Sequence, residues 1–224
     1  MYGRRAKRLL YVKNCDRIAD MSREMKLITD KQIDRTCAVF TEMFEDYPLY
    51  TEIFGREDGW RKRIYYLFKV EVTRGKRYTY ANEDFTAICS IMRPDDKGKE
   101  KSMTSLFANP FFSIPFFRAV GRKQAKIALE YANMTEEIAK KYYNPETDCY
   151  IKNIGVAKAS RGKGLLHAMI DEICEDMPVC LETHDETNVA IYQKLGFILL
   201  ETVDFHGVNH YFMKRPAKQA ESEI

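Results

Sequence analysis

Apolar residues in this chain recur with two periods, three-to-four and two, and the changes of period mark out its elements. Ile33, Cys37, Phe40 and Phe44 stand at helical spacing behind a Thr29/Gln32 capping-box pattern, which predicts a helix over 31–44. Trp60, Ile64, Leu67, Phe68 and Val72 predict a second helix ending before Gly75, with Tyr47-Pro48 and Gly55 punctuating the segment between. Met25 to Thr29 reads as a first strand. Tyr78 to Asn82 and Phe85 to Met92 read as a hairpin joined at Asn82-Glu83-Asp84 and closed by Arg93-Pro94-Asp95-Asp96-Lys97-Gly98.

Residues 100–144 read as helix with proline breaks, carrying Tyr131, Tyr142 and Tyr143 as packing aromatics. The pattern then changes. Cys149 to Val156 is a predicted strand, and Leu165, Leu166, Met169, Ile170, Ile173, Cys174 and Met177 draw the apolar face of a helix that Pro178 stops. Val179 to Thr183 is a short apolar strand. Asn188 to Leu195 is a brief helix with Gly196 as left-handed terminator, and Phe197 to Phe205 with Val208 to Met213 form a last hairpin. The order β, two helices, ββ, helices, βαβα, ββ predicts an α/β protein with a mixed, largely antiparallel sheet and helices on both faces, not a doubly wound parallel sheet.

Charge changes the picture only at the N-terminus. Residues 1–24 hold seven Arg and Lys against three acids, and this accounts for more than the whole net charge of +3. They read as a basic extension (1–24) ahead of one domain over 25–215, with a tail at 216–224. The body has no cationic excess that would argue for nucleic acid as a partner, although the arm leaves a nucleic-acid-associated role to be tested. Six widely spaced cysteines without a C-x-x-C pair read as reduced thiols of a cytoplasmic protein. No stretch has the roughly 18 apolar residues of a membrane span, and His206 and His210 flank a turn with no third ligand, so they read as surface histidines and no metal is expected.

The chemistry concentrates at Ile154 to Leu166, IGVAKASRGKGLL, where an apolar strand runs through a basic, glycine-punctuated turn into a helix. Such a helix start presents unpaired N–H groups and a positive dipole end, and Gly162 and Gly164 admit a close ligand. That is an anion site.

Arg161-Gly162-Lys163-Gly164-Leu165-Leu166 resembles the acyl-coenzyme A pyrophosphate loop of the GNAT superfamily of N-acetyltransferases, Q/R-x-x-G-x-G/A, with Leu166 in place of the last small residue. The block from Asn188 through Tyr192 to Gly196-Phe197 is similar to the family's second conserved helix and strand. Ile154-Gly155-Val156 with Leu181-Glu182-Thr183 further resembles the branch that includes puromycin acetyltransferase. The resemblance implies a GNAT-like fold whose strands near Cys149 and Val179 splay apart, and acetyl-CoA as co-substrate. Its pantetheine arm would pair with Ile154, Gly155 and Val156, and its pyrophosphate would lie on Arg161, Gly162, Lys163, Gly164, Leu165 and Leu166.

It also implies direct attack of a primary amine, from a small molecule or peptide, on the thioester. Tyr192 would be general acid to the thiolate, and Asn188 would cap its helix or bond the coenzyme arm. Glu182 is the candidate general base, with His184 and Asp148 behind it. The alternative is a catalytically silent acyl-CoA-binding regulatory module. The chain would work without metal or membrane, as a monomer or homodimer.

Overall fold

The computed structural model describes residues 24–96 and 110–217. Most of the basic extension, the segment 97–109 and the last seven residues lie outside the described residues. Seven strands form one sheet: β1 (Lys26–Leu27), β2 (Thr79–Ala81), β3 (Ala87–Met92), β4 (Cys149–Val156), β5 (Val179–Thr183), β6 (Ile198–Phe205) and β7 (Val208–Arg215), in the order β1-β2-β3-β4-β5-β7-β6. All neighbours pair antiparallel except β4 and β5, which run parallel and pair only from Cys149↔Val179 to Ile151↔Leu181. Beyond that point the two strands part, as the resemblance implied.

Helices cover both faces. Helix α1 (Ile33–Phe44) follows a short 3₁₀ turn in which the Gln32 side chain accepts from the Thr29 N–H at 2.8 Å. With α2 (Pro48–Phe54), α3 (Trp60–Gly75), α4 (Pro110–Val120) and α5 (Arg122–Tyr142), it builds an aromatic-rich core over one face, where the Phe40 and Phe68 rings stack at 5.0 Å. Helices α6 (Leu165–Cys174) and α7 (Glu186–Lys194) cover the other face through Met169, Ile170, Ile173, Val189 and Tyr192, against Cys89, Ile151 and Leu181 of the sheet. The five described cysteines are buried, free thiols.

Three local details differ from the sequence pattern. Helix α2 is an additional element. Pro48 at its first turn and Gly55 at φ +66° beyond its last bound it tightly, and seven residues are too few to register a period. Strand β1 holds only two paired residues. Helix α7 starts two residues early because Asp185, not Asn188, is its cap, accepting from the Thr187 N–H at 2.9 Å.

Helix α1 crosses β4 at Gly155, where an added Cβ would meet Met43 Sδ at 2.6 Å and the Phe44 ring at 3.5 Å. We expect Gly155→Ala to cost about 1–3 kcal/mol by overpacking, with Met43→Ala recovering most of the loss. Urea unfolding of the single and double variants checks this, and an unchanged midpoint for Gly155→Ala would contradict the close approach.

Candidate active site

A β-bulge initiates the site. The β3–β4 register shifts between Ser90 and Ile91, which pair with Asn153 and Ile151, so Lys152 is the extra residue on β4. It re-aims the rest of the strand: Ile151 and Ile154 both contact the α6/α7 core, while Asn153 faces α3 and donates to Glu71 at 2.9 Å. Past the bulge β4 no longer pairs with β5, and its β5-facing edge opens into a groove of about 560 Å³.

The groove runs from the turn before α6 to α7, and the residues assigned to coenzyme binding from the sequence line it, apart from Lys163, which stands exposed on the turn. In that turn Gly162 and Gly164 each have φ +77°, a left-handed conformation costly to other residues, and a Cβ on either would meet nothing within 4 Å. Among the described residues the main-chain N–H groups of Gly162 through His167 have no protein acceptor; the first satisfied amide is that of Ala168, bonded to the Gly164 carbonyl at 3.0 Å. Arg161 donates from Nε to the Val156 carbonyl at 3.2 Å, which ties the turn to the end of β4. Leu166 is partly buried against the α6/α7 core. The site therefore offers a file of unused donors at a positive helix end, the arrangement a phosphate chain fits.

At its inner end the groove meets a chamber of about 220 Å³, and Ile154, Asn188 and Tyr192 line both. Rings of Phe44, Tyr47, Tyr50, Tyr131 and Tyr150 wall the chamber, and Glu182 of β5 reaches into it. Tyr150 donates a short hydrogen bond to Glu182 Oε1, and Tyr131 donates to Oε2 at 3.3 Å. Burial nevertheless dominates over these two donors and Lys152, and pushes the Glu182 carboxyl up to about 7. Tyr192 is buried, which raises its phenol well above the usual range, and no protein group among the described residues accepts from its hydroxyl. Its ring packs edge-on against Phe197 at 5.5 Å. Asn188 donates to Thr183 Oγ1 at 3.4 Å and does not cap the helix.

No protein-family model matches the sequence, and no curated protein matches it. Solved structures do match. A Corynebacterium glutamicum protein described as histone acetyltransferase HPA2 and related acetyltransferase superposes with TM-score 0.57 at 14% identity, over 88% of this chain and 97% of its own. Arylalkylamine N-acetyltransferase 2 from Aedes aegypti superposes with TM-score 0.54 at 15% identity, over 87% and 99%. The fold is that of the GNAT acetyltransferases.

On this GNAT fold the sequence-derived residues fall into two groups. Ile154 to Val156, Arg161, Gly162, Gly164 to Leu166 and Asn188 border the groove, while Glu182 and His184 border the chamber with Tyr192 at the join. Asp148 lies elsewhere, ion-paired to Lys214 at 2.6 Å and wholly buried, so it is not available as a base. His210 is not a surface residue: it is fully buried beside His184, because the β7 register turns it toward α5. Tyr131, read from the sequence as packing, bonds Glu182; one aromatic on a helix face carries no sign of its partner three elements away. Among the described residues no group of three or more His, Cys, Asp or Glu is placed to hold a metal ion, and no helix is long and apolar enough to cross a membrane.

Glu182 binds its proton more tightly in the folded chain than unfolded, so it favours folding below its unfolded value and that contribution is lost as pH rises toward 7. We expect Glu182→Gln to be the more stable form at pH 8, by on the order of 2–3 kcal/mol, and to match the wild type near pH 4. Urea unfolding at both pH values tests the sign. A wild type more stable than Glu182→Gln at pH 8 would show the carboxylate to be well solvated.

Proposed function

We propose that this chain transfers an acetyl group from acetyl-CoA to a primary amine, by direct attack of the amine on the thioester. The observation that carries the reading is the junction: a groove with six unused amide donors meets, at Tyr192, a chamber that holds a carboxyl poised near neutrality. The amides of Gly162 to Leu166, with Arg161 and Lys163, would hold the pyrophosphate, each charge-assisted bond contributing on the order of 1.5–3 kcal/mol. The open edge of Ile154 to Val156 would take the pantetheine arm as an added strand. Bound there, acetyl-CoA supplies the activated acyl group; the protein supplies position and proton transfer.

A lysine-like amine is protonated at pH 7, and freeing its lone pair costs about 4.6 kcal/mol. Glu182 accepts that proton, and a base whose pKa lies near the working pH does this best. Tyr192, protonated at all working pH values and with its hydroxyl uncommitted, donates to the departing thiolate. The ring-walled chamber suits a compact amine with an apolar, flat body better than a peptide, whose main chain would find few partners among side-chain rings. That is also the substrate type in the name of the mosquito neighbour. A base-like carboxyl in the chamber that the groove opens into speaks against the silent coenzyme-binding module. The cytoplasmic setting inferred from the thiols belongs to this reading, and the basic arm has no part in it.

Calorimetric titration with acetyl-CoA, followed by thiol-release assays over an amine panel, tests the reading; binding without turnover on any amine would return it to the silent module. In the active protein we expect kcat/KM to rise with pH through an acid limb near 7, because Glu182 must be ionised to accept a proton. Tyr192→Phe should lower kcat by 10²-fold or so while leaving acetyl-CoA affinity within about twofold. An unchanged kcat would remove Tyr192 from the chemistry.

A further inference from the structure

Behind Glu182 lies a cluster that the acetyl-transfer reading does not use. The Tyr131 hydroxyl on α5 has three polar atoms within reach: Glu182 Oε2 at 3.3 Å, His184 Nε2 at 2.9 Å and His210 Nδ1 at 3.4 Å. It has one hydrogen to give. His184 Nε2 and His210 Nδ1 are themselves 3.1 Å apart, so one of the two must be the donor.

Burial fixes which one. Both imidazoles are held neutral, with burial pushing His184 down to about 3 and His210 to about 4, so each carries a single N–H. His210 Nε2 is buried without a partner. A buried N–H left unpaired is rarer than a buried acceptor left unpaired, which puts the His210 hydrogen on Nδ1, donating to His184 Nε2. The His184 hydrogen is then on Nδ1, directed at Tyr47 Oη 3.3 Å away, and that hydroxyl also accepts from the His184 main-chain N–H at 2.9 Å and lies 3.1 Å from Thr183 Oγ1. What remains is one lone pair, on His184 Nε2, open to two donors: Tyr131 O–H and His210 Nδ1–H.

We propose that His184 and His210 are positioning residues that set how tightly Glu182 holds a proton: His184 competes with its carboxylate for the single hydrogen of Tyr131, and His210 competes with Tyr131 for the His184 lone pair. When Tyr131 points at His184, Glu182 keeps only the Tyr150 donor and is the stronger base. When it points at Glu182, the carboxylate is stabilised and the base is weaker. His210 acts from behind, by occupying the His184 lone pair and so releasing Tyr131 toward Glu182. The other groups facing the cluster are Tyr150 and Lys152 of β4 beside Glu182, Tyr47 ahead of α2 beside His184, and Glu201 of β6, which acts on His210 and is ion-paired to Lys141. No proton is gained or lost in the exchange; one hydroxyl hydrogen changes acceptor.

The proposal rests on Glu182 as the base of the reaction, but its test does not need turnover. The Glu182 carboxyl is titrated by ¹³C NMR in the free, full-length protein, with its signal assigned by loss in Glu182→Gln. Tyr131→Phe removes the donor and should raise the midpoint by about half a pH unit or more. His184→Phe removes the competing acceptor and should lower it by a similar amount, although added apolar bulk alone would raise it. The double variant should behave as Tyr131→Phe alone, and His184→Gln, whose amide oxygen still accepts, should stay near the wild type. Should His184→Phe fail to fold, His210→Leu gives an independent reading: it frees the His184 lone pair for Tyr131 and should raise the midpoint.

Shifts in the same direction for Tyr131→Phe and His184→Phe, no shift in either, a lowering by His184→Phe that persists without the Tyr131 hydroxyl, or a lowering by His210→Leu would each overturn the proposal. A protein with the expected shifts but no acetyl transfer would remove the activity and leave the tuning intact.

Discussion

The site proposed for this fold depends on one place where a sheet stops being a sheet. Strands β4 and β5 pair over three residues and then part, and a parallel pair that parts inside a sheet leaves main-chain donors and acceptors that a protein interior does not tolerate unsatisfied. Something must bond them, and the groove they open is lined by the glycine turn at one end and by Tyr192 at the other. The bulge at Lys152 is the local cause: it inserts one residue, changes which side chains of β4 face which core, and bends the strand away from its neighbour.

The packing around the split is what keeps it open. Helix α1 lies close enough to β4 that a Cβ at position 155 would press on Met43, and the aromatic core of α1, α2 and α3 braces that face. On the other face α6 and α7 pack against the sheet through apolar side chains of one cluster, so the start of α6, with its free amides, and Tyr192 on α7 rest on the same face of the sheet.

The period of apolar residues made the helices and most strands of the second half legible, because Leu165 to Met177 and Val179 to Thr183 bury one face each and their spacing records it. The glycine turn was legible for a different reason: Gly162 and Gly164 sit at φ values that few other residues adopt, so the residue type itself reports the backbone. What could not be read was anything that depends on two distant segments meeting. His210 is in a hairpin that looks exposed from its turn residues, and only the β5–β7 register, Thr183 opposite Tyr211, carries it under α5 to His184. Asn188 looked like a cap because Asn is a good one, but Asp185 stands at the true helix start and accepts from the Thr187 N–H, which leaves Asn188 inside the helix. Helix α2 was hidden by its shortness.

The chamber explains why a carboxyl is kept where burial opposes its charge. An exposed glutamate would be ionised at every working pH but a weak base, about six units below the lysine-like amine proposed as acceptor; enclosing it among Tyr47, Tyr131 and Tyr150 narrows that gap at a cost in folding stability. Full enclosure without donors would overshoot and leave the group protonated. The two tyrosine hydroxyls temper that burial, Tyr150 by a short bond to Glu182 and Tyr131 by a hydrogen with more than one place to go. A tyrosine suits that second position because its hydroxyl can redirect its hydrogen by rotation about one bond, with no movement of the ring that walls the chamber. The same side chain can thus bound the chamber's volume and adjust the proposed base, which a rigid donor such as a main-chain amide could not do.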